Sequence, residues 1–179
     1  MNKFKYLSHS FIFLILGTIF FGIQNDFIIF RWPTKTIAFK EDNNLATKKR
    51  IKLFYWNNNK WINETTTILV SANLQDNVQH ILNSWLNLLD EEKIIEKIFL
   101  QTALISEASN ELFLSFDRNL LIEDHSTYQK LMLIEGLLKT LRENDIKVPK
   151  IYFLVYHKPM QDSHLDFSNT WPLEGFFKN

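Results

Sequence analysis

Between positions 51 and 156 the apolar residues switch back and forth between a two-residue and a three-to-four-residue period, and that succession confines the chain to an α+β fold. Ile51, Leu53 and Tyr55 alternate with Lys52, Phe54 and Trp56, and Asn57-Asn58-Asn59 follows, which predicts a strand and a turn. Residues 61–70, rich in Thr, Ile and Val, are the expected hairpin partner. Within residues 76–89, Val78, Ile81, Leu82, Trp85, Leu86 and Leu89 recur at three- and four-residue steps and form one helical stripe. Residues 98–106 and 111–117 then read as a second hairpin, joined at Ala108-Ser109-Asn110. Ser126-Thr127-Tyr128-Gln129 fits a capping box, in which the Ser and Gln side chains satisfy backbone N–H groups that a helix start leaves free. The helix it opens carries the stripe Leu131, Ile134, Leu137, Leu138 and Leu141, with Lys139 and Arg142 near its negative C-terminal end. After Pro149, the nearly all-apolar residues 151–156 predict a central strand buried on both faces. The expected order is β-β-α-β-β-α-β, a mixed sheet with two helices packed on it.

Ahead of this domain, Lys3 and Lys5 precede an apolar run made by Phe11, Ile12, Phe13, Leu14, Ile15, Leu16, Ile19, Phe20, Phe21 and Ile23. As a helix, residues 11–23 reach about 20 Å, shorter than a usual span, and the length suits a signal-peptide core. The following Gly22-Ile23-Gln24-Asn25-Asp26 lacks paired small residues for a signal peptidase, so the segment reads as a retained anchor; cleavage would instead release a secreted domain. The expected organisation is a signal-anchor or signal peptide over residues 1–30, a basic connector over 31–49, a folded domain over 50–175 and a tail over 176–179. A short apolar run behind lysines places the domain outside the cytoplasm, although Arg31, Lys35 and Lys40 on the far side compete in the positive-inside balance.

Charge is balanced overall, with 20 Lys and Arg against 20 Asp and Glu, but it is not evenly spread. Residues 31–60 carry 8 basic against 2 acidic side chains, and residues 61–146 carry 6 against 14. A basic segment beside an apolar run suits an anionic lipid surface, and an acidic domain argues against a nucleic-acid partner. No cysteine is present, which excludes disulfides, thiolate metal sites, thiol nucleophiles and lipid modification on cysteine.

Several segments together resemble a known family. Thr140-Leu141 near the end of the second helix, the strand Ile151-Tyr152-Phe153-Leu154-Val155, and His164-Leu165-Asp166-Phe167-Ser168 running into Pro172-Leu173 are similar to the GerMN domain of bacterial sporulation and germination proteins. Leu53-Phe54-Tyr55 stands where that domain has its first aromatic strand, and residues 114–117 near its second hairpin. His157 replaces the usual Gly after the last strand, and Ser115 and Asp117 stand in exchanged order. The resemblance covers residues 50–175. It implies a fold similar to ring-building modules of envelope machines, a membrane tether, no enzymatic activity, and envelope proteins or further copies of the chain as partners. It also implies that Phe167 to Leu173 pack as core.

Candidate sites weigh against bland alternatives. Glu123-Asp124-His125 has metal-ligand chemistry, but acidic residues ahead of a helix already complement its positive end, so no metal is expected. His157, Asp162, His164 and Asp166 cluster after a strand without a nucleophile, and no catalytic residue or cofactor is assigned. Ser115, Ser126 and Ser168 lack a nucleophile elbow, and no Gly-rich phosphate loop exists. Trp56, Trp61 and Trp171 are the candidate partner or glycan contacts, the alternative to a protein-interaction module being a cell-wall glycan-binding or peptidoglycan-processing accessory protein, whereas Trp85 falls on a helical stripe and is expected in the core. The tail carries Phe167, Trp171, Leu173, Phe176 and Phe177, apolar groups that should fold back onto the sheet or meet a partner.

Overall fold

The computed structural model describes residues 47–176; the apolar run of residues 11–23 and most of the basic connector lie outside them. The described chain is α+β, with two helices and two sheets. Strands β1 (Thr47–Asn57) and β2 (Lys60–Val70) form one antiparallel hairpin, and helix α1 (Leu74–Glu91) follows. Strands β3 (Leu100–Ile105) and β4 (Leu112–Phe116) pair antiparallel, α2 (Thr127–Glu143) crosses over, and β5 (Lys150–Val155) returns parallel to β4. Two dipeptide strands that the periodicity did not reveal, β6 (Lys158–Pro159) and β7 (Trp171–Pro172), pair with β5. Among the described residues no helix is long and apolar enough to cross a membrane.

The order of elements follows the sequence expectation, and three details differ. Strand β1 starts at Thr47, so Lys48 and Lys49 belong to a strand that pairs with Ile68–Val70 rather than to a connector. Strand β5 is buried on one face: Ile151 and Phe153 are in the core, whereas Tyr152, Leu154 and Val155 keep partial exposure. A run of apolar residues is equally compatible with one covered face when the second face carries aromatics that shield one another, and here Tyr152 stacks on Phe113 with centroids 4.5 Å apart. Third, the expected single sheet is split in two.

The split has a local cause. The edge of β1 that faces away from β2 is satisfied by side chains instead of by a strand. The Phe54 N–H donates to Thr140 Oγ1 at 2.9 Å, the Lys52 N–H donates to Asn144 Oδ1 at 3.1 Å, and Asn144 Nδ2 donates back to the Lys52 carbonyl at 2.7 Å. Trp85 Nε1 donates to the Phe54 carbonyl at 2.8 Å, which fixes the fully buried indole. Helix α2 approaches β1 this closely because Gly136 faces it. A Cβ there would stand 3.1 Å from the Phe54 carbonyl oxygen, tighter than an ordinary contact, so a larger residue requires the backbone to give by a few tenths of an ångström.

Helix α2 starts on the expected capping box: Ser126 Oγ accepts from the Gln129 N–H at 3.3 Å, and Gln129 Oε1 accepts from the Ser126 N–H at 2.9 Å. Beyond its cap it is buried nearly all round, including Lys130 and Glu135. Both charges are paired. Lys130 Nζ lies 2.7 Å from Asp162 Oδ2, with both side chains withdrawn from water, and Glu135 pairs with Arg142, whose Nη1 donates to the Leu173 carbonyl at 2.7 Å. The segment after β6 is thereby held on the helix, and Phe167, Trp171 and Leu173 enter the main core beside Phe153.

Candidate functional site

The tight end of the first hairpin places the aromatic residues. Asn58 and Asn59 form a two-residue loop with φ of 50° and 58°, the left-handed pair a hairpin turn of this length uses and that Asn tolerates better than other side-chain-bearing residues. The turn sets Trp56 directly opposite Trp61, and their rings meet edge to face with centroids 5.3 Å apart. Tyr128, half exposed in the first turn of α2, stands at 85° to Trp56 with centroids 6.2 Å apart. A cleft of about 430 Å³ opens between this hairpin end, the chain leaving α1 and the start of α2. Trp56 and Tyr128 line it above an apolar floor that includes Trp85, Ile94 and Met132, and Asn57, Asn58, Asn59, Glu92, Lys93 and His125 supply polar groups.

These polar groups are not spoken for. The side chains of Asn57, Asn58, Asn59, Lys93 and His125 take no hydrogen bond or ion pair among the described residues. The neighbouring Tyr55 hydroxyl does, donating to Glu64 Oε1 at 3.4 Å; burial first, then the nearby Glu92 and Glu64 carboxylates, push its pKa up and keep it a neutral donor.

Of the three candidate tryptophans, Trp56 lines the cleft. Trp61 packs behind it, with Lys139 Nζ 5.9 Å from its ring centroid, and does not reach the cleft. Trp171 is only 6% exposed, stacked on Phe167 at 5.0 Å, with its Nε1 donating to the Asp166 carbonyl. It is a core residue with no ring face left for a partner, because the tail folds back over β5. Trp85 is also core, as its helical stripe implied.

The polar cluster after β5 is taken up by loop structure. Asp162 accepts from Lys130 and from the His164 and Leu165 N–H groups. Burial works to raise its pKa, but these donors together outweigh it and hold the carboxyl below the ordinary value. Asp166 accepts from the Ser168 hydroxyl and N–H and from Asn169, which lower its pKa too. His157 gives its N–H to Ser115 Oγ at 3.0 Å, so Ser115, Ser126 and Ser168 each have a structural bond. Glu123 and Asp124 are exposed, and among the described residues no three His, Asp or Glu converge as a metal site.

Sequence reasoning passed over Tyr128 and treated the three asparagines as a turn only. The available signal was Tyr128 itself, an aromatic in the first turn of a capped helix, three residues ahead of the stripe at Leu131.

No family model matches this chain, and no curated protein matches it. Among solved structures, a "Putative Lipoprotein" from Clostridium perfringens is similar, with 15% identity and a TM-score of 0.47 over 74% of this chain and 92% of that one. A likeness of that degree assigns no function.

Proposed function

We propose that this chain is a non-enzymatic interaction module of the bacterial cell envelope, tethered by its N-terminal apolar segment, as the GerMN-like pattern implies. The observation that carries the reading is the outer face of the larger sheet. Leu104, Phe113 and Tyr152 lie in register across β3, β4 and β5, with Leu154 two positions along. They alternate with the core residues Ala103, Leu114 and Phe153 and stay outside the core cluster, and Leu104 is 49% exposed. An apolar row on one sheet face suits a protein partner better than solvent. A non-enzymatic role is supported by the hydroxyls and carboxylates after β5, which are committed to holding the loop.

The test combines location and surface. Protease added to intact spheroplasts should digest the domain, and a photo-crosslinking residue at Leu104 should give a discrete protein adduct that Phe113→Asp removes while the domain still unfolds cooperatively. The same group at the exposed Thr65 of β2 should give none. Protection from protease until the membrane is lysed overturns the location; equal adducts at both positions overturn the surface.

A further inference from the structure

We infer that the cleft between the first hairpin turn and the start of α2 binds a neutral sugar ring of an oligosaccharide. The cleft shares no residue with the outer sheet face, so the two readings stand or fall separately. Its volume, about 430 Å³, lies in the range of small-molecule sites. Two features define the ligand class. First, Trp56 and Tyr128 meet at 85°, so the cleft offers an aromatic corner to a ligand with two apolar surfaces at an angle. A pyranose has such a pair in one C–H face of the ring and the edge that carries its exocyclic CH2, and weak C–H contacts to aromatic faces favour it.

Second, the polar groups around the corner suit hydroxyls rather than charges. Three amide side chains and an imidazole both donate and accept, as a ring of vicinal hydroxyls requires. Among the described residues that line the cleft, the one carboxylate, Glu92, and the one ammonium, Lys93, are adjacent in sequence and offset each other. An anionic ligand such as a phosphate would lack a basic cluster, and a cation would lack an acidic one. Because the side chains of Asn57, Asn58, Asn59, Lys93 and His125 have no partner among the described residues, they are available to a ligand without breaking a bond in the described fold. Trp61 braces Trp56 from behind through the edge contact, so it positions the wall without touching the sugar.

The experiment uses the full-length chain in a detergent without a sugar headgroup, titrated with chitotetraose and separately with maltotetraose by calorimetry. Saturable binding of at least one of these neutral oligosaccharides is expected, little changed by added salt. Tyr128→Ala, a change at a half-exposed position, should weaken it about tenfold with the unfolding midpoint retained. Phe99→Ala, at an exposed position away from the cleft, should leave it unchanged. Absence of saturable binding to either oligosaccharide overturns the inference. So does binding that Tyr128→Ala leaves intact.

Discussion

The first hairpin and the segment after β6 separate regular periodicity from depth of burial in opposite senses. The hairpin has the clearest pattern in the chain, an alternating strand, an Asn turn and a Thr-rich partner, yet most of β2 faces water and the hairpin's end carries the candidate site. Residues 160–176 have no helical or strand period, yet Met160, Phe167, Trp171 and Leu173 are core residues. Periodicity reports local geometry. Depth of burial depends instead on what the rest of the chain places alongside, and the tail has two anchors on α2 to place it, the Lys130–Asp162 ion pair and the Arg142 hydrogen bond to the Leu173 carbonyl.

The largest effect should come from removing the tail. Ending the chain at Ser163 deletes Phe167, Trp171 and Leu173, three buried side chains each worth about 2 to 3 kcal/mol, and uncovers Phe153. That total is comparable with the whole stability of an ordinary domain, so the truncated chain should fail to show a cooperative thermal transition. If it melts like the parent, the tail is an appendage, and the comparison with the hairpin collapses.

Lys130→Met tests the anchor by itself. It leaves the Asp162 carboxylate buried without its cation and should cost about 3 to 5 kcal/mol in denaturant unfolding, whereas Lys130→Met with Asp162→Asn, which removes the charge and keeps an acceptor for the His164 and Leu165 N–H groups, should recover most of the loss. The same pair gives a pH signature. The folded-state pKa of Asp162 is below its unfolded value, so its contribution is fully present above the ordinary carboxylate range and is lost as pH falls through that range toward the folded value. Below about pH 4 the parent should lose stability more steeply than the double variant. Equal acid slopes would sink the idea that this ion pair holds the tail.

Thr140→Val makes the corresponding cut on the hairpin side. The substitution keeps the shape and removes the hydroxyl that accepts from the Phe54 N–H, leaving a buried donor unpaired at a cost of about 1 to 3 kcal/mol. A smaller loss than for Lys130→Met is expected, because Asn144 and Trp85 still hold the β1 edge.

The fold was readable where local chemistry decides it. The stripe from Val78 to Leu89, the capping box at Ser126 and the turn at Asn57-Asn58-Asn59 each specify their own conformation, and the order of elements follows. The capture of the β1 edge by Thr140 and Asn144 was not readable, since it joins groups 86 and 92 positions apart. Lys130 looks like a solvated helix charge until Asp162 is brought to it from 32 positions away. The candidate cleft was half readable: Trp56 stood out as an aromatic beside a turn, but its corner with Tyr128 exists only because α2 begins beside the hairpin end. Trp171 stood both as a candidate contact and, through the family resemblance, as core, and the tail's return over β5 makes it core.

The smallest expected effect is at the hairpin turn, and it sharpens the contrast most. Asn58 and Asn59 hold left-handed backbone, which Gly adopts without steric cost, but Gly also adds freedom to the unfolded chain. The two terms oppose each other, so Asn58→Gly with Asn59→Gly should shift stability by no more than about 0.5 kcal/mol. Asn58→Val, by contrast, forces a β-branched residue into the left-handed region and should cost about 1 to 2 kcal/mol. A chemical unfolding series of both variants separates strain from side-chain contacts. If the Gly pair destabilises as much as Asn58→Val, the Asn amides hold the fold together in the absence of ligand, and the turn joins the tail as a structural element. If the Gly pair is silent in unfolding, the amide groups at this turn are free of structural duty, and any loss they cause in oligosaccharide binding belongs to the ligand alone.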